Sequence, residues 1–336
     1  MDDQDKLDEV MGAVTKRRDE RRRFLRTAST AAITVGGATI LSACGGDNNN
    51  NATPAPPTSG TPPPPPPPPP PTSTFNDADI LNFALNLEYL EAQFYHFAAF
   101  GTSIPGDLLG GTGRRGAPTG GRQVTFTDPQ VAQYAREIAL DERAHVAFLR
   151  SALGASAVAQ PDLDISAAGA FTSVARAAGL VTASQTFDPY ANDENFLLGA
   201  FIFEDVGVTA YKGAAPLITS KTFLEAAAGI LAAEAYHAGL IRTVLYAKGL
   251  QTPSLRTSTT KISDARDSLD APTDVDQGIE PIGNMSNIVP SDQNGIAFSR
   301  SAGDVLNIVY LTAAAASQGG FFPNGVNGNI RLSTAG

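Results

Sequence analysis

The feature that most constrains this chain is a repeat built on glutamate and histidine. Residues 138–150 read Ile138-Ala-Leu-Asp-Glu142-Arg-Ala-His145-Val-Ala-Phe-Leu149-Arg150, and residues 230–242 read Ile230-Leu-Ala-Ala-Glu234-Ala-Tyr-His237-Ala-Gly-Leu-Ile241-Arg242. A shift of 92 residues superposes Ile, Glu, His and Arg, and a shift of 116 places Glu88 on Glu204 and Tyr95 on Tyr211. Each half is thus one helix carrying a glutamate, followed by one carrying Glu-x-x-His. The chain holds 3 histidines and 11 glutamates in 336 residues. By chance a histidine meets a glutamate three positions earlier about one time in thirty; here two of the three do.

Apolar spacing supports helices at these places. Ile80, Leu81, Ala84, Leu87, Leu90, Phe94 and Phe97 recur at three- and four-residue intervals, predicting a first helix over about 77–100, capped by Asn76 or Asp77. A Gly/Pro-rich insertion, 101–128, follows. Asp128-Pro129 supplies a cap and a first-turn proline for a second helix ending near Leu153. A long connection, 154–193, carries one short helical patch near 168–178. The third and fourth helices are expected over about 192–217 and 221–249, with Gly249 as the stop. Beyond them, 251–336 reads as largely irregular, with one apolar helix near 302–317. Two helix pairs joined by one long crossover imply an all-α, ferritin-like four-helix bundle, 75–250, with a C-terminal extension packing on it.

Residues three apart on a helix differ by about 60° in direction and about 4.5 Å in height. Glu142 and His145 therefore project toward one point, as do Glu234 and His237. Their stripe is apolar, flanked by Ile138, Leu149, Ile230 and Ile241. Carboxylates converging in such a core repel one another unless a cation sits between them. Two divalent ions would balance Glu88, Glu142, Glu204 and Glu234, with His145 and His237 completing the shells. A glutamate from each of two helices plus Glu-x-x-His from each of the others is the di-iron or di-manganese carboxylate set; iron is the favoured reading. Glu91, one turn past Glu88, falls on Gly207 in the repeat, so Glu88 is preferred as the ligand. Tyr95, Tyr211 and Glu91 are expected to support the ligands. His96, matching Lys212, is expected to point away, and Asp141 and Asp205 to face solvent.

Leu85-Asn-Leu-Glu-Tyr-Leu-Glu-Ala-Gln-Phe-Tyr95, the stretch Asn287 to Arg300 and Gly319-Gly-Phe-Phe-Pro-Asn-Gly325 resemble the exported and plant desiccation-related members of the ferritin-like superfamily. The resemblance covers about residues 75–330. It implies a stress or desiccation phenotype without a mechanism.

The N-terminus reads as an address. Arg21-Arg22-Arg23-Phe24-Leu25-Arg26 matches the twin-arginine export pattern, and an apolar stretch runs from Thr27 to Leu41. Leu41-Ser-Ala-Cys44-Gly45 resembles a lipobox, with lipid attached to Cys44. Residues 1–43 are thus expected to be a signal peptide. Residues 44–74 form an Asn/Pro-rich tether whose run Pro62 to Pro71 would extend about 31 Å as polyproline II. Cys44 is the one cysteine, which excludes a disulfide framework and thiolate-held iron or zinc. Removing residues 1–43 takes away eight basic and seven acidic residues and leaves a net charge of −11, which argues against nucleic acid as a partner.

Two functions follow as expectations. The first is an oxidoreductase of the cell envelope, lipid-anchored and facing the periplasm or exterior. It would oxidise Fe(II) or consume peroxide or dioxygen, as a ferroxidase, peroxidase or catalase, and draw on an external reductant. The second is a non-catalytic envelope protein of stress or desiccation response, with its metal structural or absent. The oligomeric state stays open in both.

Overall fold

The computed structural model describes residues 75–270 and 274–335. The export pattern at Arg21 and Arg22, Cys44 and the tether lie outside the described residues. Helix α1 spans Asp77–Phe100. Asn76 caps it, its side chain accepting from the Asp79 N–H while the Asp79 carboxylate accepts from the Asn76 N–H. Helix α2, Pro129–Leu153, starts from an Asp128 cap with proline in the first turn. Helix α4, Asp193–Ala214, starts from Asn192, and helix α5, Lys221–Lys248, from Ser220. Each cap satisfies an N–H that the helix cannot. Helix α4 ends three residues before the expected Leu217. Pro216 cannot donate into an α-helical ladder, and residues Ala215–Leu217 form a 3-10 turn instead.

α1 packs chiefly on α2, and α4 on α5. Both α1 and α4 are apolar on nearly every side and buried to match, so they sit at the centre of the fold. Helix α3, Thr172–Ala177, lies in the crossover. The insertion and the crossover also contribute a feature absent from the all-α expectation, a two-stranded parallel ribbon. Strand β1, Pro118–Gly120, pairs with β2, Leu163–Ile165, Pro118 opposite Leu163. Three residues per strand are too few to give a periodic signal.

The extension differs from expectation in two respects, and the first is that it holds two helices among the described residues. Helix α6, Ser254–Asp267, buries Leu255, Thr259, Ile262, Ser263, Ala265 and Arg266. Three of those six are polar, so no apolar stripe betrays the helix. Helix α7 covers Ala302–Tyr310 and stops well short of Ser317. Leu311 takes a left-handed conformation, φ 58°, and the Thr312 N–H returns to the Asn307 carbonyl, closing the helix end.

Three buried arginines fasten this extension to the bundle. Arg242 of α5 donates to Asp205 and to the carbonyls of Gln277, Gly278, Asn287 and Ile288. Arg266 of α6 pairs with Asp205 at 3.1 Å and Asp276 at 2.6 Å. Arg300 joins Asp270 at 2.6 Å and also Asp276. Asp205, expected to face solvent, is 5% exposed between two guanidiniums. The partners that bury it come from elements 37 and 61 residues away. Local spacing could not reveal them.

The repeat explains the arginines at its end. Arg242 reaches Asp205, the residue after Glu204, and Arg150 reaches the hydroxyl of Tyr89, the residue after Glu88, at 2.7 Å. Each arginine thus ties the Glu-x-x-His helix of its half to the glutamate helix beside it.

Candidate metal centre

The four long helices carry Glu88, Glu142, His145, Glu204, Glu234 and His237 to the middle of the bundle. Ligand atoms of Glu88, Glu142, His145 and Glu234 lie within 4.8 Å of one another, as do those of Glu142, Glu204 and His237. Glu142 belongs to both groups. His145 Nδ1 stands 3.2 Å from Glu88, 3.5 Å from Glu142 and 3.6 Å from Glu234. His237 Nδ1 stands 3.0 Å from Glu142 and 3.7 Å from Glu204. The two rings are 6.2 Å apart. All four glutamates are buried to within 1%.

The donors converge without satisfying one another. Both carboxylate oxygens of Glu142 and of Glu234, Oε2 of Glu204 and Nδ1 of His237 are buried with no hydrogen-bond partner. The 3.0 Å approach of His237 to Glu142 lacks the alignment of a hydrogen bond. Buried polar atoms are almost always paired, so six orphaned atoms around one point form a set that could hold a cation. Four carboxylates and two imidazoles match hard-to-borderline divalent ions such as iron or manganese.

Left to themselves, these groups hold their protons abnormally. Burial drives Glu88 up to about 7 against the pull of His145, and Glu204 up to about 8 against His237. Burial and the surrounding carboxylates push Glu234 and Glu91 well above the usual range. Burial acts on Glu142 in the same direction, but His145 and His237 outweigh it and hold this carboxyl below its ordinary value. His145 is opposed by burial yet raised to about 11 by Glu88 and Glu142. A divalent ion would replace those protons as the counter-charge.

Tyr95 and Tyr211 cross between halves. The Tyr95 hydroxyl of α1 donates to Glu204 of α4, and the Tyr211 hydroxyl of α4 donates to Glu88 of α1. Each tyrosine fixes one oxygen of the other half's glutamate and leaves the second oxygen for the centre. Glu91 is buried and turned toward Gly207, its counterpart in the repeat. A Cβ at Gly207 would lie 2.3 Å from Glu234 Oε2 and 3.5 Å from Glu91 Oε1, so glycine makes room for both carboxylates. His96 stands outside the cluster, its Nδ1 2.7 Å from the Thr102 carbonyl. Asp141 is about half exposed, at 51%, yet its Oδ2 lies 3.4 Å from His237 Nε2, on the side of the ring away from the glutamates. A carboxylate there would favour the tautomer that leaves Nδ1 free to act as a ligand atom. The signal for Asp141 was its place before Glu142; its partner lies 96 residues on.

A family model described as ferritin-like domain matches residues 76–247, about half of the chain. The chain belongs to the ferritin-like family. Within it, the sequence is 34% identical to the desiccation-related protein PCC13-62 of Craterostigma plantagineum, over 75% of this chain and 83% of that protein. It is 29% identical to the ferritin-like catalase Nec2 of Nesocodon mauritianus, over 76% of this chain and 84% of that one. No solved structure matches it. This ferritin-like bundle brings all six candidate ligands of the repeat to one place, and its extension closes over the α1 and α4 side.

Proposed function

We propose that the protein is an exported, lipid-anchored di-metal oxidoreductase that uses dioxygen or peroxide in stress defence. The observation that carries this reading is the set of six orphaned, buried donor atoms converging in the bundle. Glu88, His145 and Glu234 would hold one ion, Glu204 and His237 the other, with Glu142 shared between them. A bound pair of iron ions would supply two electrons, converting dioxygen and two protons to hydrogen peroxide, or hydrogen peroxide and two protons to two waters. The chain's own part is to fix the geometry. Tyr95 and Tyr211 hold Glu204 and Glu88, Asp141 orients His237, and the apolar walls exclude bulk water. The relative named as a ferritin-like catalase supports peroxide as a substrate. For dioxygen or peroxide reduction, electrons for repeated turnover would come from an external donor; in peroxide dismutation a second peroxide would supply them.

Elemental analysis of protein purified from its own export route tests this directly. About two iron or manganese ions per chain are expected, with near-complete loss in a Glu142→Ala/His237→Ala variant. The loaded protein should consume Fe(II) with dioxygen, or peroxide. A well-folded chain without metal would sink the reading; metal without turnover would favour the structural role.

The envelope placement rests on Arg21-Arg22 and the lipobox at Cys44. Wild-type cells fed labelled palmitate should place label in the membrane-bound protein, and a Cys44→Ser chain should be unlabelled and soluble. Label retained by Cys44→Ser would remove the anchor.

A further inference from the structure

The side of the metal centre facing α1 and α4 is not solid. A small cavity lies there, with room for about 20 Å³ of water-sized contents, roughly one or two such molecules. Its surface is apolar, formed by Leu90, Phe203, Val206 and Phe321 among others, with Glu91 and Gly207 also lining it. Every residue lining it is buried. Gly207 separates this cavity from Glu234: a Cβ there would stand 2.3 Å from Glu234 Oε2, so only glycine lets the carboxylate come this close to the cavity wall. Where α1 carries Glu91, α4 carries Gly207, so at this position one half presents a carboxylate and the other only backbone.

A second cavity, about 120 Å³, adjoins the first and shares Ile202, Ile308 and Phe321 with it as walls. Its rim includes Ser173 and Ala177 of α3, which are exposed to solvent. From surface to centre the order is α3, the outer cavity, Ile202 with Ile308 and Phe321, the inner cavity, then Gly207 and Glu234. The C-terminal extension supplies Ile308 and Phe321, so this route is absent from the four-helix bundle alone.

Resting on the di-metal reading above, we propose that this line of cavities is the route by which dioxygen reaches the centre. Arg266 and Ser173 put polar groups on the outer cavity, but the inner one offers no hydrogen bonds, so a cation or hydrogen peroxide entering it sheds its hydration without compensation. Dioxygen has no such hydration to lose, and two atoms fit the inner volume. Charged and polar species would instead enter beside half-exposed Asp141, which stands against His237. The substrate class of the inner cavity is therefore a neutral, apolar diatomic.

Ile308→Phe plugs the shared wall, and Ala177→Trp obstructs the exposed rim without touching the core. Crystals pressurised with xenon report the cavities independently of any metal, since dry apolar cavities bind that gas. Xenon is expected in the outer cavity of the wild type and missing from it in Ile308→Phe. In Fe(II)-loaded protein, stopped-flow oxidation by dioxygen should slow about tenfold in Ile308→Phe and to a lesser degree in Ala177→Trp, with peroxide oxidation changed less than about twofold. Metal stoichiometry should be unaltered in both. No xenon in the wild-type outer cavity, or equal slowing with dioxygen and peroxide, overturns the route. So does a dioxygen rate blind to a plug that excludes xenon. If Ile308→Phe misfolds, the same comparison is made with Ala177→Trp, where an unchanged dioxygen rate overturns the proposal. A wild type that binds no metal would defeat the di-metal reading and delivery with it; normal metal uptake with rates blind to the plugs defeats the route alone.

Discussion

Arg242→Ala is expected to cost about 3–5 kcal/mol, the range for removing one partner of a buried ion pair. The side chain is fully buried, and its guanidinium donates to Asp205 at 2.8 Å and to four carbonyls of residues 277–288 at 2.6–2.9 Å. Truncation leaves those carbonyls unpaired in the interior and hands Asp205 to Arg266 alone. Domains of this kind are stable by about 5–15 kcal/mol in total, so the loss is a large share. The extension should come away first, because the lost bonds are those that hold residues 277–288 to α5. Denaturant unfolding gives the energy, and limited proteolysis within 274–300 gives the place. Arg242→Lys should rescue little, since one ammonium cannot span four carbonyls and a carboxylate. A loss below about 1 kcal/mol would mean that the network contributes no more than surface ion pairs do. Asp205 follows Glu204 directly, so metal content should fall in the same variant.

The second large effect is a metal-dependent reversal of the pH profile. With no cation bound, Glu88 and Glu204 titrate near 7 and 8, against 4.5 in an unfolded chain, and His145 near 11 against 6.5. All three are raised, so the folded chain binds more protons than the unfolded one above pH 4.5. Stability must therefore fall as pH rises from 4.5 through 8. Glu142 runs the other way: its carboxyl is held low, and its contribution disappears as pH falls below 4.5. Chelated protein should thus be most stable near about pH 5. Manganese(II) or iron(II) requires the same groups deprotonated, so affinity rises over the interval in which the chelated chain weakens. The melting temperatures of loaded and chelated protein should diverge between pH 5 and 8, by roughly 10 °C or more at the upper end. Calorimetric titration in buffers of different ionisation enthalpy should show more than one proton released per ion at about pH 7. A gap that stays constant or narrows would show that these carboxyls are not the groups the ion displaces protons from.

The helices that carry the candidate ligands were legible because their signals are local. Glu142 and His145 share a helix face by arithmetic on a 3.6-residue turn, and so do Glu234 and His237. Asp128-Pro129 and Asn76 announce their helix starts within four residues. Helix α6 was not legible, since Thr259 and Arg266 occupy positions where an amphipathic pattern would show apolar residues. They are buried because Ile279 and Asp276 come back to meet them, the Ile279 N–H donating to Thr259. Asp205 misled for the same reason, being a carboxylate whose partners lie on other elements.

By itself the sequence determined the ferritin-like plan: two glutamate helices, two Glu-x-x-His helices and the pairing of halves, all carried by contacts within one helical turn or by the repeat. The tertiary structure alone decided how the halves interlock. Tyr95 meets Glu204 across 109 residues and Tyr211 meets Glu88 across 123, a crossing that each helix face permits but neither specifies. It also decided what stands around the centre. Asp141 lies behind His237, three arginines hold the extension in place, and Gly207 stands between Glu234 and the cavity that Phe321 helps to wall. Such arrangements depend on which distant side chains fill the space beside a residue, and packing settles that only once the whole chain has folded.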